Sequence, residues 1–340
     1  MRRNMVFYNR TENFVSMNGK IAVVFEIDTA CQTKFYQTGA VNMNYHQAFL
    51  FNGIGSKPER LCQFLSSRDR IRYETYIHDT FKKYNLRTKI SENVEMDRLI
   101  AGALTSAIAD RVVFESYLEK GIVPDIGCGY SSGLTNACAC FSAISFDTSY
   151  DIISCNKKTV DAIAQSGNVF DMGVIIGMDA DSVRELIQAT DESDRVVIGS
   201  INSKICVMIS GYEEGIIHVL DAAVQEGALK AIKMNAGIAY HTPFIAPYTR
   251  EFTDFISNTA YSDPKYPIVS AFTNQVMTTA EELHKEDQIN VITPMQWDLA
   301  IAKMEELGVT DFFDTSADGA IKKFSRLKKR SSKIHTYTDV

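Results

Sequence analysis

The chain has 340 residues, 45% of them hydrophobic and 23% charged, with a net charge of −7. At roughly 150 residues per domain this suggests about two domains with a sizeable core, and it excludes a disordered chain, which would carry far less apolar content. No apolar run approaches the roughly 18 residues of a membrane span or forms a secretory leader, and the acidic balance disfavours nucleic acid, so the expectation is a cytoplasmic protein with neither membrane nor nucleic-acid partners.

Seven cysteines (Cys31, Cys62, Cys128, Cys138, Cys140, Cys155 and Cys206) are odd in number, scattered and without a C-x-x-C pair. That argues against a disulfide framework or a zinc ribbon, and no other metal-ligand spacing is visible, so no metal is expected.

Residues 1–46 read as an extension with a hairpin, in which β-rich stretches 14–17 and 20–27 are joined by Asn18-Gly19, a dipeptide that tolerates φ > 0 at both turn positions. The run Ala48-Phe49-Leu50-Phe51 then predicts a buried parallel strand that stops at the turn Asn52-Gly53-Ile54-Gly55-Ser56. Helices are predicted near 57–66 and over 96–118, the second with an Ala-rich middle suited to close packing on a sheet. A strand at 122–126, weakened in its first half by Pro124, leads into Gly127-Cys128-Gly129-Tyr130-Ser131-Ser132-Gly133, and a helix of small residues follows over 134–144.

A second unit, residues 169–234, reads as strand 172–176, helix 179–189, strands 195–201 and 205–210, helix 213–225 and strand 228–234. That order, βαββαβ, is ferredoxin-like. The chain returns to the first unit through Tyr240-His241-Thr242-Pro243, a strand at 267–273 and a helix at 294–307. The expected organisation is therefore an α/β core of residues 47–168 and 235–327 with the smaller unit inserted. Lys322, Lys323, Arg326, Lys328, Lys329, Arg330 and Lys333 crowd the C-terminus, where residues 328–340 read as a basic, frayed tail after a solvated helix end.

Gly129-Tyr130-Ser131-Ser132-Gly133 fits G-x-S-x-G, in which flanking glycines let a strained strand-to-helix turn form and lift the serine hydroxyl clear of the sheet. A serine needs an adjacent base. Of six histidines, His46, His78, His218, His284 and His335 lie in polar or helical surroundings that suit a surface or core-edge role. His241 differs, because Pro243 pushes Thr242 towards extended geometry and helps fix the chain just past it. Pattern alone leaves His241 as either a mounted base or a residue that caps a turn.

These residues resemble a known family. Phe49-Leu50-Phe51-Asn52-Gly53-Ile54-Gly55-Ser56 is similar to the F-x-F-P-G-Q-G-S opening of the malonyl-CoA:acyl-carrier-protein transacylases and polyketide synthase acyltransferase domains, and residues 129–133 to their G-H-S-x-G elbow. Asn202-Ser203 followed by Val207-Met208-Ile209-Ser210-Gly211 resembles their N-S-P-x-x-V-V-I-S-G segment, Tyr240-His241-Thr242-Pro243 their F-H-S-P, and Thr293-Pro294-Met295-Gln296-Trp297 their N-P-V-x-W. The resemblance covers about residues 47–327 and implies an α/β hydrolase-like core with parallel sheet and an inserted ferredoxin-like subdomain. It also implies a Ser131–His241 dyad, an oxyanion hole from the backbone amides of Ile54 and Ser132, and a main-chain carbonyl near Asn290 that orients the histidine. Tyr130, Asn156 and Asn202 are the implied acyl-pocket residues.

Where malonyl-specific members carry an arginine that grips the substrate carboxylate, the same interval from Ser131 leads to Asn156. An asparagine cannot neutralise a carboxylate, and the adjacent Lys157 and Lys158 would point elsewhere on a helix, onto a solvated face. Tyr130 and Leu134 also depart from the elbow's usual histidine and glutamate. The resemblance thus implies an acyltransferase for a non-malonyl group, acting between a coenzyme A or carrier-protein thioester and an acyl carrier protein in polyketide or fatty acid synthesis. No bound cofactor is expected; coenzyme A or phosphopantetheine is the thioester substrate. Alternatives are an acyl-carrier hydrolase of the same family and a catalytically silent carrier-binding relative, which would have no need of Ser131 and His241. A plain α/β-hydrolase esterase would need an acid between serine and histidine in chain order and no βαββαβ insert.

Overall fold

The structure is a computed structural model that describes residues 16–17, 20–21, 45–53, 58–86 and 95–340. Residues 1–43 form a unit of their own. Within it, β1 (Ser16–Met17) pairs antiparallel with β2 (Lys20–Ile21), Met17 opposite Lys20. The Asn18-Gly19 turn and the rest of the expected hairpin lie outside the described residues.

The unit of residues 44–340 opens with β3 (Gln47–Phe51), α1 (Pro58–Cys62), α2 (Ser67–Lys83), α3 (Glu95–Glu119), β4 (Ile126–Gly129), α4 (Gly133–Cys140), α5 (Phe146–Cys155) and α6 (Lys157–Ser166). The insert follows as β5 (Phe170–Ile176), α7 (Ala180–Ala189), β6 (Val196–Ser203), β7 (Cys206–Tyr212), α8 (Glu213–Gln225) and β8 (Lys230–Lys233). The chain ends with α9 (Arg250–Ser257), β9 (Ile268–Val269), β10 (Val276–Met277), α10 (Ala280–Ile289), α11 (Trp297–Glu306), β11 (Asp311–Asp314), α12 (Ala320–Phe324) and β12 (Lys333–His335). The core sheet runs β10-β9-β4-β3-β11-β12, parallel except for β10. The insert's sheet runs β6-β7-β5-β8, all antiparallel, with the helices α7 and α8 that a ferredoxin-like unit requires. Among the described residues no helix is long and apolar enough to cross a membrane.

β3 shows why its apolar run is unbroken. Phe49 and Phe51 enter one core, with Phe114, Phe141 and Phe313, while Ala48 and Leu50 enter the other, with Trp297 and Met304. A parallel strand covered by helices on both faces has no solvent side on which to alternate. The insert has its own core around Ile175, Val207, Ile209 and Val219.

Three sequence expectations change. The strand expected at 122–126 begins only at Ile126 and continues through Gly127 and Gly129. Asp125 is occupied capping the entry to β3, its carboxylate accepting from the amides of His46 and Gln47 at 2.8 and 2.9 Å. Glycine is a poor strand residue, but a Cβ at position 127 would lie 2.6 Å from the Phe141 ring, so tertiary packing selects it. α2 was hidden by its many charges, although Ser66 caps it and Tyr73, Ile77 and Phe81 are buried. The C-terminal segment is no frayed tail: Lys333–His335 is the edge strand of the core sheet, and the Glu305 carboxylate accepts from the Lys328 and Lys329 amides at 2.9 and 3.0 Å.

Candidate active site

The elbow runs from β4 over Tyr130, Ser131 and Ser132 into α4, with Ser131 at φ 56°. A Cβ at Gly129 would lie 2.1 Å from the Leu134 nitrogen, and one at Gly133 2.2 Å from the Phe51 carbonyl oxygen. Neither position admits a side chain, so the G-x-S-x-G spacing follows from the close approach of β3 and α4 to the turn. Ser132 is the N-cap of α4, and its amide belongs to the first-turn N–H groups that a helix leaves without intrahelical acceptors. Ile54, the other expected oxyanion donor, lies outside the described residues.

His241 reaches the elbow from beyond the insert. Its backbone is also left-handed, φ 62°, and its amide donates to the Val291 carbonyl at 2.7 Å. Ser131 Oγ lies 2.8 Å from His241 Nε2, and His241 Nδ1 lies 3.2 Å from the Thr293 carbonyl oxygen. A carbonyl only accepts, so Nδ1 carries the ring proton and Nε2 is left with the lone pair that faces the serine hydroxyl. His241 is 1% exposed. Burial drives its pKa down to about 4, against a smaller upward pull from the Thr293 and Asn290 carbonyls, so it is a neutral base at physiological pH.

The contact adds a residue to the expectation. The Thr293 carbonyl faces Nδ1 at 3.2 Å, the expected Asn290 carbonyl also acts on the ring, and the Asn290 side chain turns to the elbow, Nδ2 donating to the Ser131 carbonyl at 3.1 Å. Main-chain acceptors leave no residue signature, which is why Thr293 escaped the sequence although its Thr-Pro motif did not.

Both dyad members line a cavity of about 390 Å³, together with Tyr130, Asn156, Asn202 and Asn290. Tyr130 is buried against Trp297, ring centroids 5.3 Å apart, and its hydroxyl donates to Asn202 Oδ1 at 2.9 Å. Burial pushes that phenol up to about 12, so it stays a neutral donor. Asn156 sits at the junction of α5 and α6, and its buried Oδ1 has no hydrogen-bond partner among the described residues. Lys157 and Lys158 instead form ion pairs, the first half-buried with Asp161 at 2.7 Å and the second exposed with Glu251 at 2.6 Å. Aliphatic residues such as Ile100, Ile153, Met172 and Met208 complete the wall. Among the described residues the cations that line it are Lys323 and Arg326, both exposed, Lys323 bonded to the Asp318 carbonyl and Arg326 to the carbonyls of Lys323 and Ser325. Among the described residues no group of three or more His, Cys, Asp or Glu could hold a metal ion.

No family model matches the chain. It is 26% identical over 232 residues to the malonyl CoA-acyl carrier protein transacylase of Bacillus subtilis, covering 66% of this chain and 72% of that protein. The likeness in sequence is to the malonyl-CoA:acyl-carrier-protein transacylases. Solved structures share its fold: the transacylase from Coxiella burnetii superposes with a TM-score of 0.77 at 21% identity, over 87% of this chain and 95% of that one. A malonyl-transacylase in complex with a type II polyketide synthase acyl-carrier protein gives 0.74 at 18% identity, over 87% and 96%.

Proposed function

We propose that the protein is a serine acyltransferase that moves a non-malonyl acyl group, through a Ser131 acyl-enzyme, from a coenzyme A or carrier-protein thioester to an acyl carrier protein in fatty acid or polyketide synthesis. The observation that carries the reading is the 2.8 Å contact between Ser131 Oγ and a buried, neutral His241 inside an apolar cavity. The serine oxygen attacks the thioester carbon as Nε2 takes its proton. The carbonyl oxygen becomes an oxyanion, for which the Ser132 amide at the start of α4 would be a donor, and the resemblance to the family adds the amide of Ile54. The imidazolium, stabilised through Nδ1–H by the Thr293 carbonyl, returns the proton to the departing thiol sulfur. The same steps reversed, with the carrier protein's thiol as nucleophile, unload the enzyme.

The acyl preference follows from charge. A malonyl carboxylate beyond the thioester would meet neutral Asn156 and the Asp287 carboxylate, which also lines the cavity, while Lys323 and Arg326 stand exposed and engaged. An unpaired buried carboxylate costs several kcal/mol, roughly, so uncharged acyl groups are favoured. The carrier protein as acceptor rests on what the relatives are named for. The test is to incubate the protein with a panel of acyl-coenzyme A and acyl-carrier thioesters and follow Ser131 acylation and release by mass spectrometry. Loading from uncharged donors and transfer to carrier thiol supports the proposal. Release to water in the presence of carrier marks a hydrolase, and no acylation by any thioester sinks the enzyme reading.

A further inference from the structure

We propose that residues 287–293, the end of α10 and the 3-10 turn after it, form a brace that holds the two halves of the dyad together, with Asp287 and Asn290 as positioning residues. The inference rests on the reading of Ser131 and His241 as nucleophile and base. Three tethers leave this one short segment: Asn290 Nδ2 donates to the Ser131 carbonyl (3.1 Å), the Val291 carbonyl accepts from the His241 amide (2.7 Å), and the Thr293 carbonyl accepts from His241 Nδ1 (3.2 Å). Both residues so held are non-glycines at positive φ, a backbone state that persists only where the surroundings over-determine it. The elbow and the histidine are 110 residues apart in sequence, and this turn touches both.

Asp287 gives the brace its direction. Its side chain is almost wholly buried, and its carboxylate accepts from Tyr261 Oη at 2.6 Å, from Thr135 Oγ1 on α4 at 3.3 Å and from Asn290 Nδ2 at 3.5 Å. An asparagine amide can face a neighbour with either its oxygen or its nitrogen. A carboxylate can only accept, so Asp287 selects the orientation in which Nδ2, not Oδ1, meets the Ser131 carbonyl. With the amide reversed, two oxygens would face each other at the elbow and push Ser131 away from the ring. The brace therefore acts on how often Oγ lies in line with Nε2, a property of the rate of reaction and not of substrate affinity.

The test uses the full chain and a small phosphonofluoridate as a probe that needs no knowledge of the acyl group. Ser131 Oγ bonds to phosphorus, fluoride departs and the serine proton passes to His241. The limiting rate and half-saturating concentration are measured for the wild type, Asn290→Leu, Asp287→Asn and Tyr261→Phe. The expected result is a limiting rate lower by about 10- to 100-fold in the first two and by less in Tyr261→Phe, at unchanged half-saturation, because small misplacements of reacting groups act on the rate. Folded variants that react at the wild-type limiting rate, or whose loss lies wholly in half-saturation, overturn the brace. Should Asp287→Asn fail to fold, Tyr261→Phe, whose ring does not line the cavity, decides. A wild type that the probe does not label at Ser131 refutes the dyad itself; a labelled wild type with unaffected variants refutes only the brace.

Discussion

Two sets of residues that line the cavity are held differently. Around the dyad, the Ser131 carbonyl takes donors from both Asn290 and Leu134, and every nitrogen of His241 has a partner. Elsewhere in the lining, Asn156 presents a buried Oδ1 with no partner among the described residues, in a cavity that aliphatic side chains largely line. The geometry of Ser131 and His241 is thus over-determined by contacts from several elements, whereas Asn156 is held by none through its Oδ1. On the proposed function, changes at the first pair should abolish reaction, and changes at Asn156 should redirect it.

The sharpest break in that contrast is Ser131→Ala, which is expected to abolish acyl-enzyme formation while leaving the thermal unfolding transition near that of the wild type, because removing one hydroxyl opens no large cavity. Intact-protein mass spectrometry reads the first and circular dichroism the second; a mutant that still acylates would remove Ser131 from the chemistry. His241→Ala follows, with an expected loss of about 10²- to 10⁴-fold in acylation rate, the range for a positioned general base. A single-turnover rate close to that of the wild type would mean that the ring merely caps its turn.

A smaller effect separates the buried base from an ordinary histidine. His241 must be neutral to accept the serine proton, and burial holds its pKa near 4, below the ordinary 6.5. The single-turnover acylation rate should accordingly stay level as pH falls through 6.5 and decline only towards 4; a decline centred near 6.5 would show the ring to be solvated. The same shift has a stability sign. The unfolded chain binds this proton first, so the contribution of the neutral buried ring is present above about 6.5 and is lost as pH falls towards 4.

The smallest expected effect tests Asn156. Asn156→Arg should raise malonyl loading relative to loading from an uncharged acyl thioester, by supplying a bidentate partner for the carboxylate. Asp287 and the aliphatic wall limit the gain, since both remain in the cavity. Efficient malonyl loading by the unaltered protein would show that charge at Asn156 does not set the preference.

The strand of Ala48 to Phe51, the βαββαβ order and the G-x-S-x-G turn were legible because each leaves a local pattern: an unbroken apolar run, alternating periods, and glycines where no Cβ fits. Tyr130 and Asn202 were placed by their positions in family-like motifs and Asn156 by its interval from Ser131, and all three line the cavity. α2 went unseen because its charged face outweighs the few buried residues that anchor it, and β12 because three residues beside a run of lysines carry no strand signal of their own. What the sequence alone determined is the chemistry available, a serine in an elbow and a histidine on a constrained loop. Only the tertiary structure decided which carbonyl orients that histidine, that its ring is buried and neutral, and that one short turn ties it to the serine. Those properties belong to main-chain atoms and to residues brought together from distant parts of the chain, and neither leaves a trace in local spacing.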